Sequence, residues 1–266
     1  VSALDDEIRD LLRFAAERSI LPRFRNLAEH DIDEKAEDDL VTIADRETEE
    51  FLTEALTRLA PGVLTVGEEA VHADPSVAER LSGPCWIIDP VDGTHNFAHG
   101  KGPFGTIIAL ADAGETIAGW IYDPQLDRLC HVKRGEGAFI NKERVYANAT
   151  GKAPPVAAIS VMFMDPDKRE AVKQHIAPHY SLVDIPRCAA EQYPRLALGI
   201  NDVSIFERTL AWDHAAGVLW LNEAGGKAAR PDGSAYRVDE HDRKGLIGAA
   251  SPALFDELAA RIAVLD

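Results

Sequence analysis

Two helical periodicities near the start, four closely spaced strand-like runs between 105 and 140, and alternating strand and helix patterns after 156 predict a mixed α and β chain in stacked layers. Leu4, Ile8, Leu11, Leu12 and Ala15 recur at helical spacing and predict a helix over 4–19. Ser2 with Asp5 resembles a capping box at its start, and Pro22 should kink or end it. A second helix is expected over 43–59, with Phe51, Leu52, Ala55, Leu56 and Leu59 on its apolar side and Pro61-Gly62 closing it. A short strand follows at 63–66 and leads into Gly67-Glu68-Glu69; a short helix is expected at 75–81. The apolar run 85–88 reads as a buried strand. Runs at 105–111, 116–122, 128–132 and 137–140, with turn signals between them, read as an antiparallel meander. The second half alternates: strands at 157–162, 181–185, 203–206 and 246–249, and helices at 167–176, 188–199, 212–224 and 252–265. Pro194 sits inside the second of these helices, and Gly225-Gly226 ends the next. No internal repeat, low-complexity tract or long linker interrupts the 266 residues, which read as one domain over 1–266 made of two closely packed halves meeting near 150.

Composition narrows the function. Hydrophobic residues are 46% and charged residues 27%, enough apolar material for an ordinary core. No apolar run approaches the ~20 residues that span a bilayer, and the acidic, amphipathic start is unlike a secretory signal. Cys85, Cys130 and Cys188 are odd in number, far apart and without zinc spacing, so they read as reduced, mostly buried thiols of a cytoplasmic protein. The net charge of −17 disfavours direct contact with nucleic acid or an anionic membrane, since both are polyanions. Phosphate chemistry is compatible with that charge when bound cations invert the local field.

The stretch Trp86-Ile87-Ile88-Asp89-Pro90-Val91-Asp92-Gly93-Thr94-His95-Asn96-Phe97 carries the chemistry. Two carboxylates leave a buried strand, where α/β proteins gather functional groups, and a Gly-Thr turn behind them can offer backbone N–H groups to phosphate. Further acids fall at element ends: Asp45 at the start of the second helix, Glu68 and Glu69 after a strand, and Asp213 after Trp212 at a helix start. Each alone has a plain structural reading as a helix cap, a first-turn carboxylate or a solvated loop charge. Oxygen-only ligands together select Mg²⁺, Mn²⁺ or Ca²⁺ over zinc, and Mg²⁺ held by few carboxylates suits phosphoryl chemistry.

These segments resemble the inositol monophosphatase family. The resemblance is carried by Asp39-Leu40-Val41-Thr42-Ile43-Ala44-Asp45, Gly67-Glu68-Glu69, Asp89-Pro90-Val91-Asp92-Gly93-Thr94 and Trp212-Asp213-His214-Ala215-Ala216-Gly217, in order along roughly residues 5–262. It implies a five-layer αβαβα sandwich with catalytic metals between layers. By the same resemblance, Glu68, Asp89 and the Val91 carbonyl would bind a first Mg²⁺, and Asp89, Asp92 and Asp213 a second. Glu69 could support a third. Asp45 and Thr94, with Glu68, would form the catalytic set that activates water, and Asp92, Gly93 and Thr94 would hold the phosphate. The implied reaction is hydrolysis of a phosphomonoester by in-line attack of a metal-activated water, with no phosphoenzyme. Inositol-1-phosphate is the default substrate; histidinol phosphate, fructose-1,6-bisphosphate and a nucleotide 3′-phosphate are alternatives. Mn²⁺ would substitute for Mg²⁺, Ca²⁺ or Li⁺ would inhibit, and the assembly would be a homodimer.

Departures from the pattern lie on the substrate side. Where relatives acting on inositol phosphates carry an Arg-x-x-Gly-Ser-Ala-Ala-like segment, this chain has Arg187-Cys188-Ala189-Ala190-Glu191-Gln192-Tyr193-Pro194. Glu191 and Gln192 would reshape the pocket and contact a different leaving group. Glu207 resembles the family's substrate-hydroxyl-binding glutamate, one residue closer to Asp213 than usual. His95, beside the phosphate turn, could pair with phosphate when protonated or serve as an ordinary helix-start histidine. Arg187 could steer anions or form a salt bridge. Two readings of other classes stand beside the enzyme: a regulatory binding protein that retains the phosphatase fold, and a structural Ca²⁺ site.

Overall fold

The computed structural model describes residues 3–36 and 39–265. Helix α1 (Ala3–Ala15) runs into a π-helical turn at Ala16–Ile20, and Pro22 follows its end. The capping-box serine, Ser2, lies outside the described residues. A short two-stranded ribbon, β1 (Ile32–Ala36) with β2 (Asp39–Thr42), delivers the chain to α2 (Ile43–Leu59). Ile32-Asp33-Glu34 carries no apolar alternation, which is why the pattern of residues did not reveal this ribbon. The chain continues through β3 (Leu64–Gly67), α3 (Glu68–Ala73), a 3₁₀ stretch at Pro75–Ser82, β4 (Cys85–Asp92) and α4 (Thr94–Ala98).

The expected meander is present as β5 (Gly105–Asp112), β6 (Glu115–Asp123), β7 (Arg128–Lys133), β8 (Gly137–Ile140) and β9 (Glu143–Val145). With β3 and β4 it forms a seven-stranded sheet in the order β3-β4-β5-β6-β7-β8-β9, antiparallel except for the β3–β4 pair. The second half supplies β10 (Val156–Ile159), α5 (Pro166–His175), β11 (Ser181–Leu182), α6 (Ala189–Ala197), β12 (Val203–Phe206), α7 (Ala211–Glu223), β13 (Lys227–Ala229), β14 (Leu246–Ala249) and α8 (Pro252–Ile262). Its strands form a mixed five-stranded sheet, β11-β10-β12-β14-β13. The strands expected at 157–162 and 181–185 are shorter than their apolar runs, because the chain leaves the sheet there to line a cleft.

Three cores produce the layers. Ile8 and Leu12 of α1 and Leu52 and Leu56 of α2 pack with Trp86, Ile88, Ile108 and Trp120 on one face of the large sheet. On its other face, Ile87, Ile107, Ile121 and Val132 meet Tyr193 and Leu196 of α6 and Ala216 and Trp220 of α7, which also reach Ala228 and Leu246 of the small sheet. Val172, Ile176, Phe255 and Leu258 close that sheet's far side against Ala157, Val203, Ile205 and Ile247. The sequence of layers is therefore αβαβα. Strand β4 is buried along its whole length because helices cover both of its faces, and alternate residues feed alternate cores. Cys85, Cys130 and Cys188 are buried free thiols. Among the described residues, no helix is long and apolar enough to cross a membrane.

Candidate active site

Asp89 and Asp92 lie within β4 rather than beyond it, and their spacing poses a geometric problem. Residues three apart on a regular strand face opposite sides of the sheet. Here Asp89 pairs with Ile107 while Asp92 pairs with Gly105, so three steps on β4 match two on β5. One extra residue on β4 restores a common side, as a β-bulge does. Thr106 spans the irregularity, its hydroxyl donating to the Pro90 carbonyl at 2.9 Å. The result is a cluster in which ligand atoms of Asp89, Asp92 and Asp213 all lie within 4.8 Å of one another.

Asp213 arrives from the first turn of α7, which His214 and Tyr193 anchor. His214 Nε2 contacts the Arg208 carbonyl at 3.1 Å, and Nδ1 contacts the Tyr193 hydroxyl at 2.7 Å. A carbonyl only accepts, so Nε2 carries the proton and Tyr193 donates to Nδ1. Burial pushes the His214 pKa down to about 3, consistent with a neutral ring.

Asp45 comes from the first turn of α2. Thr42 is the N-cap: its hydroxyl accepts from Ala44 N–H at 3.2 Å, and its own N–H donates to Asp45 Oδ2 at 2.8 Å. The other oxygen, Oδ1, is 3.1 Å from the Thr94 hydroxyl, which is also 2.8 Å from the Val91 carbonyl. Asp45 therefore sits behind Thr94, fully buried, while Thr94 itself lines the cleft. Gly93 adopts φ +84° at the start of α4, and a Cβ there would stand 2.9 Å from the Pro103 carbonyl oxygen. Only glycine meets both demands, and the turn it makes brings Thr94 back toward Asp45.

A cleft with a cavity volume of about 170 Å³ opens over these groups. Glu68, Asp89, Asp92, Gly93, Thr94 and Asp213 line it, together with Arg187, Gln192, Glu207 and Arg208 among others. Burial first, then the negative charges of Glu68, Asp92, Asp213 and Asp45, raise the Asp89 pKa well above the carboxylate range. Burial and then Asp213 raise Asp92 to about 7, opposed by hydrogen bonds from Ala190 N–H and the Cys188 thiol to Oδ2 at 2.6 and 3.0 Å. Asp45 is likewise raised to about 7, chiefly by burial, with Glu68 and Glu69 adding to it. Such crowding of carboxylates is costly unless cations neutralise it. Asp89 Oδ1 is buried without a hydrogen-bond partner among the described residues. An orphaned carboxylate oxygen inside an all-oxygen donor set fits a hard divalent cation.

The substrate end differs from expectation at one residue. Glu191 is absent from the cleft lining; its carboxylate accepts from Arg128 Nη2 at 2.6 Å and Arg195 Nε at 2.8 Å. On α6, adjacent residues point about 100° apart, so turning Gln192 to the cleft sends Glu191 toward β7. Gln192 is buried; its Nε2 donates to Ser204 Oγ at 2.7 Å, and its Oε1 has no partner among the described residues. Glu207 lines the cleft and pairs with Lys168 Nζ at 2.7 Å. His95 and Arg187 also line it; the His95 ring packs tilted by 31° against His99 with centroids 4.3 Å apart, and Arg187 adopts φ +52°. Replacing Glu191 with Ala is expected to lower stability, between the ~1 kcal/mol of exposed pairs and the ~3–5 kcal/mol of buried ones, with KM unchanged. Urea unfolding beside steady-state kinetics checks both halves.

Sequence reasoning did not find Glu49, whose carboxylate holds the start of α3 from α2. The signal was available, since Glu49 stands one helical turn beyond Asp45 on the same face.

The chain is similar to known proteins over nearly its whole length. The profile described as the inositol monophosphatase family matches residues 5–264. An inositol-1-monophosphatase of Bacillus subtilis is 34% identical over 207 residues, covering 76% of this chain and 77% of the relative. An inositol-1-monophosphatase of Caulobacter vibrioides is 33% identical over 230 residues, covering 84% and 88%. Among solved structures, the extragenic suppressor protein suhB of Bartonella henselae superposes with a TM-score of 0.82 at 26% identity, over 98% of each chain.

Proposed function

The chain belongs to the inositol monophosphatase family, and on that premise we propose that it hydrolyses small phosphate monoesters with Mg²⁺, inositol-1-phosphate first among them. The observation that carries the reading is the convergence of Asp89, Asp92 and Asp213 beside the Gly93-Thr94 turn. Glu68, Asp89 and the Val91 carbonyl would hold one cation and Asp89, Asp92 and Asp213 a second, with Glu69 supporting a weaker third. Mg²⁺ when bound supplies Lewis-acid polarisation of the phosphoryl oxygens and acidifies water.

The chain's own groups supply the rest. Backbone N–H groups of Gly93 and Thr94 receive the phosphate. The Thr94 hydroxyl stands 2.8 Å from the Val91 carbonyl and 3.1 Å from Asp45 Oδ1; with that carbonyl engaged by a cation, its one hydrogen would go to Asp45, leaving lone pairs to take a proton from the attacking water as its own passes to Asp45. Glu207 and the Gln192 amide line the same cleft and would receive the alcohol's hydroxyls. Glu191, committed to two arginines, has no part in substrate contact.

The test is phosphate release from a panel of monoesters: inositol-1-phosphate, histidinol phosphate, fructose-1,6-bisphosphate and a nucleotide 3′-phosphate. Release is expected to need Mg²⁺ or Mn²⁺, to stop with EDTA and to fall with Ca²⁺ or millimolar Li⁺. No EDTA-sensitive release from any compound would defeat the proposal. The proposed setting is the cytoplasm and the proposed assembly a homodimer, with no nucleic acid or membrane partner.

A further inference from the structure

Helix α3 begins at Glu68 with no cap of its own. Its first N–H groups need acceptors, and Gly67, the N-cap residue, has no side chain to provide one. Glu49 supplies them from a different helix: Oε2 accepts from Glu69 N–H and Oε1 from Ala70 N–H, both at 2.8 Å. With Glu49 in this place a side chain on Gly67 has no room, because its Cβ would stand 2.2 Å from the Glu49 carboxyl carbon. Gly67 and Glu49 thus form one device, in which the absent side chain makes room for the remote carboxylate.

That device bears on chemistry because of what lies on either side. Asp45 and Glu49 are four apart on α2, on one face, and both are buried. Glu68 immediately precedes the two clamped amides and lines the cleft. Rotation of α3's first turn would swing the Glu68 carboxylate away from Asp89. A bidentate acceptor gripping two successive amides stops that rotation as a single hydrogen bond would not. A buried carboxylate is an expensive way to cap a helix of 6 residues for stability alone.

We infer that Glu49 is a positioning residue for the cation site, holding Glu68 in register with the Asp89–Asp92–Asp213 cluster by clamping Glu69 and Ala70. The inference rests on the cation site proposed above.

The test uses the full chain and Mg²⁺ alone, titrated by calorimetry at fixed pH. Glu49→Gln keeps the size but sets an NH₂ group against one of the two amides. It is expected to raise the Mg²⁺ dissociation constant roughly 10–100-fold, as loss of a supporting partner does. The circular dichroism and melting temperature of the metal-free protein should hold or rise, because a buried charge is removed. Glu49→Asp keeps the charge and both acceptors but withdraws them by one methylene, and should weaken Mg²⁺ too. Mg²⁺ affinity within twofold of wild type in either variant would overturn the inference. So would a Glu49→Gln chain that has lost its helical signal, since Glu49 would then belong to the fold at large. No Mg²⁺ binding by the wild type would defeat the site itself, whereas unaltered binding by the variants defeats only the role given to Glu49.

Discussion

Asp89→Asn is expected to reduce phosphate release by roughly three orders of magnitude or more, the largest single loss available in this chain. Lewis-acid stabilisation is worth several kcal/mol, and each ~1.4 kcal/mol is tenfold in rate. Asp89 stands at the centre of the cluster: Glu68, Asp92, Asp213 and Asp45 all bear on its charge, and its Oδ1 is the buried orphan. Asparagine keeps the shape and one oxygen but removes the charge that two cations would share. Metal-free stability should hold or rise, since the substitution relieves repulsion in a buried acidic cluster. Single-turnover phosphate release with calorimetric Mg²⁺ titration separates the two effects. An Asp89→Asn protein that turns over within tenfold of wild type would place the catalytic cations elsewhere.

The second large effect is on stability against pH. In the metal-free protein Asp45, Glu49 and Asp92 have pKa values raised to about 7, each chiefly by burial, and Asp89 is raised well above its ordinary value. Unfolded carboxylates titrate near 4, so between about pH 4 and pH 7 the folded chain binds more protons than the unfolded one. Stability then falls as pH rises through that window, the reverse of the usual carboxylate behaviour. A shift of one unit is about 1.4 kcal/mol, and ~1 kcal/mol moves the melting temperature of a chain this size by roughly 2–4 °C. A drop on the order of 10 °C from pH 5 to pH 7.5 is expected in EDTA. Saturating Mg²⁺ should restore it at pH 7.5 and do little at pH 5, because protons and cations compete for the same oxygens. Melting curves at both pH values, with EDTA and with Mg²⁺, are the check; a metal-free protein that melts higher at pH 7.5 would mean the carboxylates are ionised without a cation.

Much of this molecule was legible from local patterns. The meander at 105–140 and the helix at 43–59 announce themselves by periodicity, because each has one face or both in a core. The candidate metal ligands were named through the resemblance carried by Asp-Pro-x-Asp-Gly-Thr and its companion motifs, since each acid alone also reads as a cap or a loop charge. The ribbon at 32–42 and the six-residue α3 were not legible, since strands of five and four residues show too little periodicity and α3 is capped from 20 positions away.

The sequence motifs, through the family they resemble, thus pointed to the reaction class and to the candidate acids. Tertiary structure decided which of those acids converge and which neighbours serve them. The bulge in β4 turns an odd spacing into a shared face, and it exists only in register with β5. Cys188 and Ala190 hold Asp92 across 96 and 98 residues of chain. The same reason separates Glu191 from Gln192: adjacent in sequence and both polar, they are sorted by helix rotation and by where Arg128 and Arg195 stand. A side chain's type is local, but its direction and its partners are set by packing against distant segments.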